Sequence, residues 1–242
     1  MLGSAYQPDA LWEELQRLDT YPAGVVPVPE RVKGTAFFPA GLGLWRSDDL
    51  SARPTFPVGG VMVVGNNNDS VKNFKTMLTR GKEYALTMRT WINLLSLFKR
   101  SGIKREQCFF TNVYMGLVKG PTNLGRCPGA KNQQYEDWCK GFMLTQLEAM
   151  KPGLVITLGA FAMRFFAKWV PAWRGVHGFR ALDQHDTAFI EGASLGQVCT
   201  NLVAIVHPSL RHVTARNRTF GGTYKGEGAE VELLKYAFAR SA

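Results

Sequence analysis

Four short apolar runs set the frame for this 242-residue chain. Each stops abruptly at a small or polar residue: residues 61–64 at Gly65, 108–111 at Asn112, 154–158 at Gly159 and 202–206 at His207. Runs this short, rich in β-branched and aromatic residues, read as buried strands. The break points lie 47, 47 and 48 positions apart, yet no motif recurs between them. A string of βα units explains that spacing better than a sequence repeat. The stretches between carry helical periodicity. Trp91, Leu94, Leu95 and Phe98 form one stripe, closed by Gly102; Trp138, Phe142, Leu144, Leu147 and Met150 form another, closed by Pro152 and Gly153. Leu233, Leu234 and Phe238 lie on a last helix after the glycine-rich residues 221–228. The expectation is an α/β fold, three layers α/β/α around a central, mostly parallel four-stranded sheet.

Residues 1–59 have a different texture. Leu11, Trp12, Leu15 and Leu18 follow Pro8 at helical spacing. Residues 19–59 then hold six prolines and many glycines, which predicts an ordered but irregular wrap around a sheet core at 60–242, all within one domain. Lys and Arg number 29 against 19 Asp and Glu, a formal charge of +10 that favours polyanionic partners. No apolar run approaches the ~18 residues of a membrane span, and the first residues lack the regions of a signal peptide. The four cysteines form no CxxC pair. A reduced, cytoplasmic monomer without membrane attachment is expected.

Two motifs fail on context. Residues 192–196 read G-A-S-L-G, but a strand follows rather than a helix, and no acid lies between Ser194 and His207 to orient a base; a turn between strands is the reading. Gly81-Lys82 lacks the earlier glycine of a phosphate-binding loop. His177, His185, His207 and His212 show no metal-ligand pairing, so neither metal nor cofactor is expected.

Ligands of parallel sheets sit beyond the carboxyl ends of the strands. Three tips there carry polar side chains: Gly65-Asn66-Asn67-Asn68-Asp69-Ser70, Thr111-Asn112-Val113, and His207-Pro208-Ser209. Taken singly, an Asn-rich turn and a turn-bound histidine explain two of them. Their arrival at one sheet edge points to a site.

These residues resemble the uracil-DNA glycosylase superfamily, with a water-activating motif after the first core strand, a strand-end asparagine that reads the base, and a His-Pro-Ser motif after the last. Residues 147–160, ending Leu158-Gly159-Ala160, resemble a further family segment. The chain departs from the pattern in having Asn68 where the first motif has proline, and Asp69 where the strictest uracil enzymes have a gating tyrosine. One branch holds an iron–sulfur cluster on four cysteines. Here Cys139 matches one position, Gly116 stands at another, and the N-terminal pair is absent.

The resemblance implies a monofunctional DNA glycosylase that flips out uracil or a modified, 5-substituted pyrimidine and leaves an abasic site, on single- or double-stranded DNA. Asn67 would hold the water, with Asp69 as a carboxylate substitute able to act as base. His207 would donate to the base carbonyl, Asn112 would read the Watson–Crick edge, and Gly65 would also contact the base. Phe74 and Tyr84 are candidates for the stacking ring. Ser209, Arg211, His212, Arg216, Arg218 and Lys225 would clamp phosphates, with Leu210 or Arg211 as a wedge. The residues from 116 to 129, rich in glycine, would wall a larger pocket. A DNA-binding relative without catalysis is the competing expectation.

Overall fold

The structure is a computed structural model that describes residues 8–45, 55–122 and 125–241, with side chains omitted at 82–85. Helix α1 (Pro8–Leu15) and the short strand β1 (Val25–Val26) precede the core strand β2 (Val61–Asn67). Helices α2 (Val71–Thr87) and α3 (Arg89–Ser101) lead to β3 (Cys108–Tyr114) and the two-residue β4 (Leu117–Val118), which pairs with β1. Then come α4 (Gln133–Met150), β5 (Leu154–Leu158), α5 (Gly159–Phe166), α6 (Phe179–Gln184), β6 (Phe189–Leu195) and β7 (Val198–Ile205). The short α7 (Arg211–Thr214), the hairpin β8 (Thr219–Phe220) and β9 (Tyr224–Lys225), and α8 (Gly226–Ala239) complete the chain.

The central sheet has the order β3-β2-β5-β7-β6, and every neighbouring pair is parallel except β6 with β7. The expected four parallel strands are all present. The fifth, β6, corrects the expected count. It is half-buried at Phe189 and Ile190, exposed at Glu191 and Gly192 and alternates only from there to Leu195, so it lacks a continuous apolar run. Its hairpin to β7 turns at Gly196, where φ is 62°. Ser194 pairs with Cys199 inside that hairpin, so the G-A-S-L-G string is strand and turn.

Strand β3 shows why its residues are buried on both sides. Phe110 points to α3, its ring 4.8 Å from Trp91 and 6.5 Å from Phe98. Its neighbour Thr111 points the other way and donates to Gln146 of α4 at 2.6 Å. Helices therefore cover both faces of the sheet. The outer edge of β3 is closed by the irregular segment, where Phe38 N–H donates to Phe110 O and Phe110 N–H to Gly43 O. An open edge would be a site for unwanted strand pairing.

The helices end where local chemistry requires. Gly102 closes α3 in the left-handed region at φ 78°, and Asn132 caps α4 by accepting from Tyr135 N–H. Gly81 breaks α2 with φ 70° and ψ −162°. Among the described residues no helix is long and apolar enough to cross a membrane.

Candidate active site

From β2 the chain passes first to β3 on one side and later to β5 on the other. Such a reversal opens a crevice at the carboxyl ends of the strands. A cleft of about 610 Å³ lies there. It is lined by residues 65–69, Asn112, Gly159, Ala160 and Phe161, and His207, Ser209 and Leu210. Four strand tips separated by more than 140 residues of chain therefore share one wall.

The first tip is a ladder of amides. Asn66 Nδ2 donates to Asn67 Oδ1 at 2.6 Å, and Asn67 Nδ2 donates to Asn68 O at 2.8 Å. Asp69 precedes α2, and its Oδ1 accepts from Ser70 N–H at 2.7 Å and Asn73 Nδ2 at 2.8 Å. Ser70 Oγ accepts from Asn73 N–H, so Ser70 caps the helix and Asp69 buttresses the cap. The second carboxylate oxygen has no partner among the described residues. Burial pushes the Asp69 carboxyl above its ordinary value, and its two hydrogen bonds oppose that only in part.

Asn112 lies in register with Gly65. A side chain at Gly65 would put its Cβ 2.5 Å from Asn112 Oδ1, so glycine is needed for the close approach. Asn112 Nδ2 donates to Phe38 O at 3.1 Å and to Asn68 Oδ1 at 3.2 Å.

His207 follows β7. Ser209 N–H donates to His207 Nδ1 at 3.3 Å, and Ser209 Oγ stands 2.8 Å from the same nitrogen. A backbone N–H can only donate, so Nδ1 is an acceptor and the proton of the neutral ring sits on Nε2. Burial lowers the His207 pKa and keeps the ring neutral. The loop is tied down from two helices. Asn93 of α3 donates to Pro208 O at 2.7 Å, and Glu230 of α8 accepts from Val206 N–H at 2.8 Å.

The family model of the uracil DNA glycosylase superfamily matches residues 60–225. The chain belongs to the uracil DNA glycosylase superfamily. A type-4 uracil-DNA glycosylase of Thermotoga maritima is 31% identical over 110 residues, covering 43% of this chain. The chain spans only 54% of that relative's length.

A four-thiolate cluster, held by one branch of the superfamily, does not fit the residues present here. A Cβ at Gly116 would strike Val25 Cγ1 at 2.6 Å, Val26 O at 2.9 Å and Tyr21 Cε1 at 3.1 Å. Cys127 and Cys139 are buried thiols, raised by that burial to about 11 and about 12. Cys108 and Cys199 lie on β3 and β7. Among the described residues no group of three or more metal-binding side chains converges.

Several expected superfamily roles are corrected by burial. Phe74 is 1% exposed and does not line the cleft; it is a core residue. The side chain of Tyr84 lies outside the described residues. Arg218 is 2% exposed, held by Asp183 at 2.9 Å and Glu230 at 3.0 Å. Arg211, 3% exposed, faces Glu230 at 3.5 Å and Glu227 at 3.6 Å. Neither arginine is placed as a phosphate clamp, and Arg211 is no wedge. Leu210, His212, Arg216 and Lys225 are exposed, and Ser209 is half-buried.

Sequence reasoning missed the cleft's aromatic wall. Phe37 lies 5.1 Å from Trp91 and 5.5 Å from Phe110, and Phe37, Trp91 and Phe161 line the cleft. Phe37 sits in the irregular segment, where no periodicity marks its role. The Phe37-Phe38 pair within a polar, proline-rich stretch was the one available signal.

Proposed function

We propose that this protein is a monofunctional DNA glycosylase that hydrolyses the N-glycosidic bond of uracil in DNA. The observation that carries the reading is the pairing, in one cleft, of a neutral His207 whose Nε2–H has no partner among the described residues with an Asp69 oxygen that has none there either. Water attacks C1′ of the deoxyribose, the C1′–N1 bond breaks, and its electrons leave on the base. Asp69 takes the proton of the water, and Asn67, its amide fixed by Asn66 and the Asn68 carbonyl, positions that water. His207 Nε2–H donates to the base oxygen, where negative charge develops. A neutral imidazole suffices because its position is set beforehand.

No lysine lines the cleft among the described residues, which supports hydrolysis over an amine-linked intermediate. The half-buried Phe37, backed by Trp91, is the stacking ring for the flipped base. Leu210, 53% exposed at the cleft rim, is the wedge that fills the vacated stack. Exposed Arg89 at the cleft joins His212, Arg216 and Lys225 in gripping the backbone.

The finer proposal extends the range to 5-substituted pyrimidines. Residue 69 carries no ring to close that side, and Gly125 of the 116–129 segment forms part of the wall. Oligonucleotides bearing uracil, 5-hydroxymethyl or glucosylated pyrimidines, incubated with protein and then treated with alkali, test both levels. Alkali-labile sites at uracil establish the activity, and sites at the substituted bases establish the range. Binding without cleavage at any base would leave a non-catalytic DNA-binding relative.

A further inference from the structure

A primary amide has two N–H donors and one oxygen acceptor. Asn112 spends both donors inside the fold, on Phe38 O and Asn68 Oδ1. A flipped amide would set its oxygen against those two acceptors, so the orientation is fixed by its surroundings. Asn112 therefore offers a base only Oδ1, which lies against the gap left by Gly65. An acceptor matches the ring N3–H of uracil and leaves the carbonyl at position 4 without a donor.

The missing donor is one residue from Asp69. Asn68 is 4% exposed and lines the same cleft. Its Oδ1 accepts from Asn112, and its Nδ2 is buried without a partner among the described residues. A buried amide N–H left unpaired is costly, and native structures keep few of them without a reason.

We propose that Asn68 determines base specificity, donating from Nδ2 to the carbonyl oxygen at position 4 while Asn112 Oδ1 accepts from N3–H. The inference rests on the glycosylase reading of the cleft. The Asn112–Asn68 hydrogen bond locks the two amides in order, so the pair presents one donor and one acceptor with no freedom to exchange them. That order complements the keto and N–H edge of uracil. Cytosine presents an amino group to Asn68 and a bare ring nitrogen to Asn112, and both contacts repel.

Asn68→Asp keeps the acceptor for Asn112 Nδ2 and replaces the amide donor with a carboxylate oxygen. Because it also buries a charge beside Asp69, the readout is a ratio between two bases rather than a single rate. Single-turnover excision is measured for wild type and variant on single-stranded oligonucleotides carrying uracil or 4-thiouracil, whose sulfur is a weak acceptor. Asn68→Asp is expected to slow uracil excision by about 10²-fold and to shrink the wild-type preference for uracil over 4-thiouracil by about tenfold or more. Comparing the ratio between proteins cancels the different leaving abilities of the two bases. A ratio unchanged by Asn68→Asp overturns the inference while uracil excision by the wild type upholds the glycosylase reading. A wild type that excises no base overturns both. The free bases give a test that needs no variant: uracil should inhibit at least about tenfold more strongly than 4-thiouracil, and equal inhibition overturns the inference.

Discussion

Asp69 divides its two oxygens between structure and chemistry, one held by the start of α2 and one open to the cleft. Its raised pKa makes it a stronger base than an exposed carboxylate, at some cost to the fold. A carboxyl whose folded pKa is raised contributes stability below its unfolded pKa and loses it as pH rises through the folded value. That contribution falls away as the carboxyl ionises with rising pH. Asp69→Asn, which keeps an oxygen for Ser70 and Asn73, should therefore melt no lower than wild type at pH 7. The same variant should lower single-turnover excision by about 10²-fold or more and abolish the acid limb of the pH–rate profile. That limb should lie above the ordinary carboxylate range. His207→Ala and Asn67→Ala should each lower the chemical step by about 10²-fold or more in the same assay, the scale of losing one preorganised donor. A larger loss in Asp69→Asn than in Asn67→Ala would make the carboxylate the main activator of water.

At the scale of elements, the position of His207 depends on α8. Glu230 is fully buried, holds the end of β7 through Val206 N–H, and pairs with Arg218 and Arg211. Removing it leaves buried Arg218 with Asp183 as its one counter-charge and buried Arg211 with the more distant Glu227. Glu230→Ala should cost about 3–5 kcal/mol of stability, read from urea unfolding. The exposed Leu210 makes the opposite prediction. Leu210→Ala should leave the fold and single-strand excision intact while slowing excision from duplex DNA by about tenfold, since only the duplex has a stack to fill.

Over the whole molecule, the 29 Lys and Arg overstate the cations available to DNA, because Arg211 and Arg218 are buried against acids within the fold. Arg216→Ala and Lys225→Ala should each reduce the salt dependence of DNA binding by about one unit of slope. Arg211→Ala should leave the slope unchanged and lower the melting temperature instead. Binding isotherms across a salt series separate the two behaviours.

The sheet's four parallel strands were legible because each is buried on both faces and so must be continuously apolar, and because a helix has to fill every crossover between them. The tips at Gly65, Asn112, Gly159 and His207 followed from that topology, since parallel strands bring their carboxyl ends to one edge. The edge strand β6 was not legible. With one face wet, its alternating pattern is no stronger than that of a loop. Side-chain direction was equally hidden: Phe74 and Phe37 are the same residue type, and only packing sends one into the core and the other to the cleft. The arginines show the same limit. Residue type makes Arg211, Arg216 and Arg218 equivalent cations, yet Asp183, Glu227 and Glu230, brought from distant parts of the chain, claim two of them. The sequence by itself determined which chemistry reaches the sheet edge, because periodicity and strand ends are local properties. Which donors remain free there was decided by the tertiary structure, because a hydrogen bond is spent or spared only by the neighbours that folding supplies.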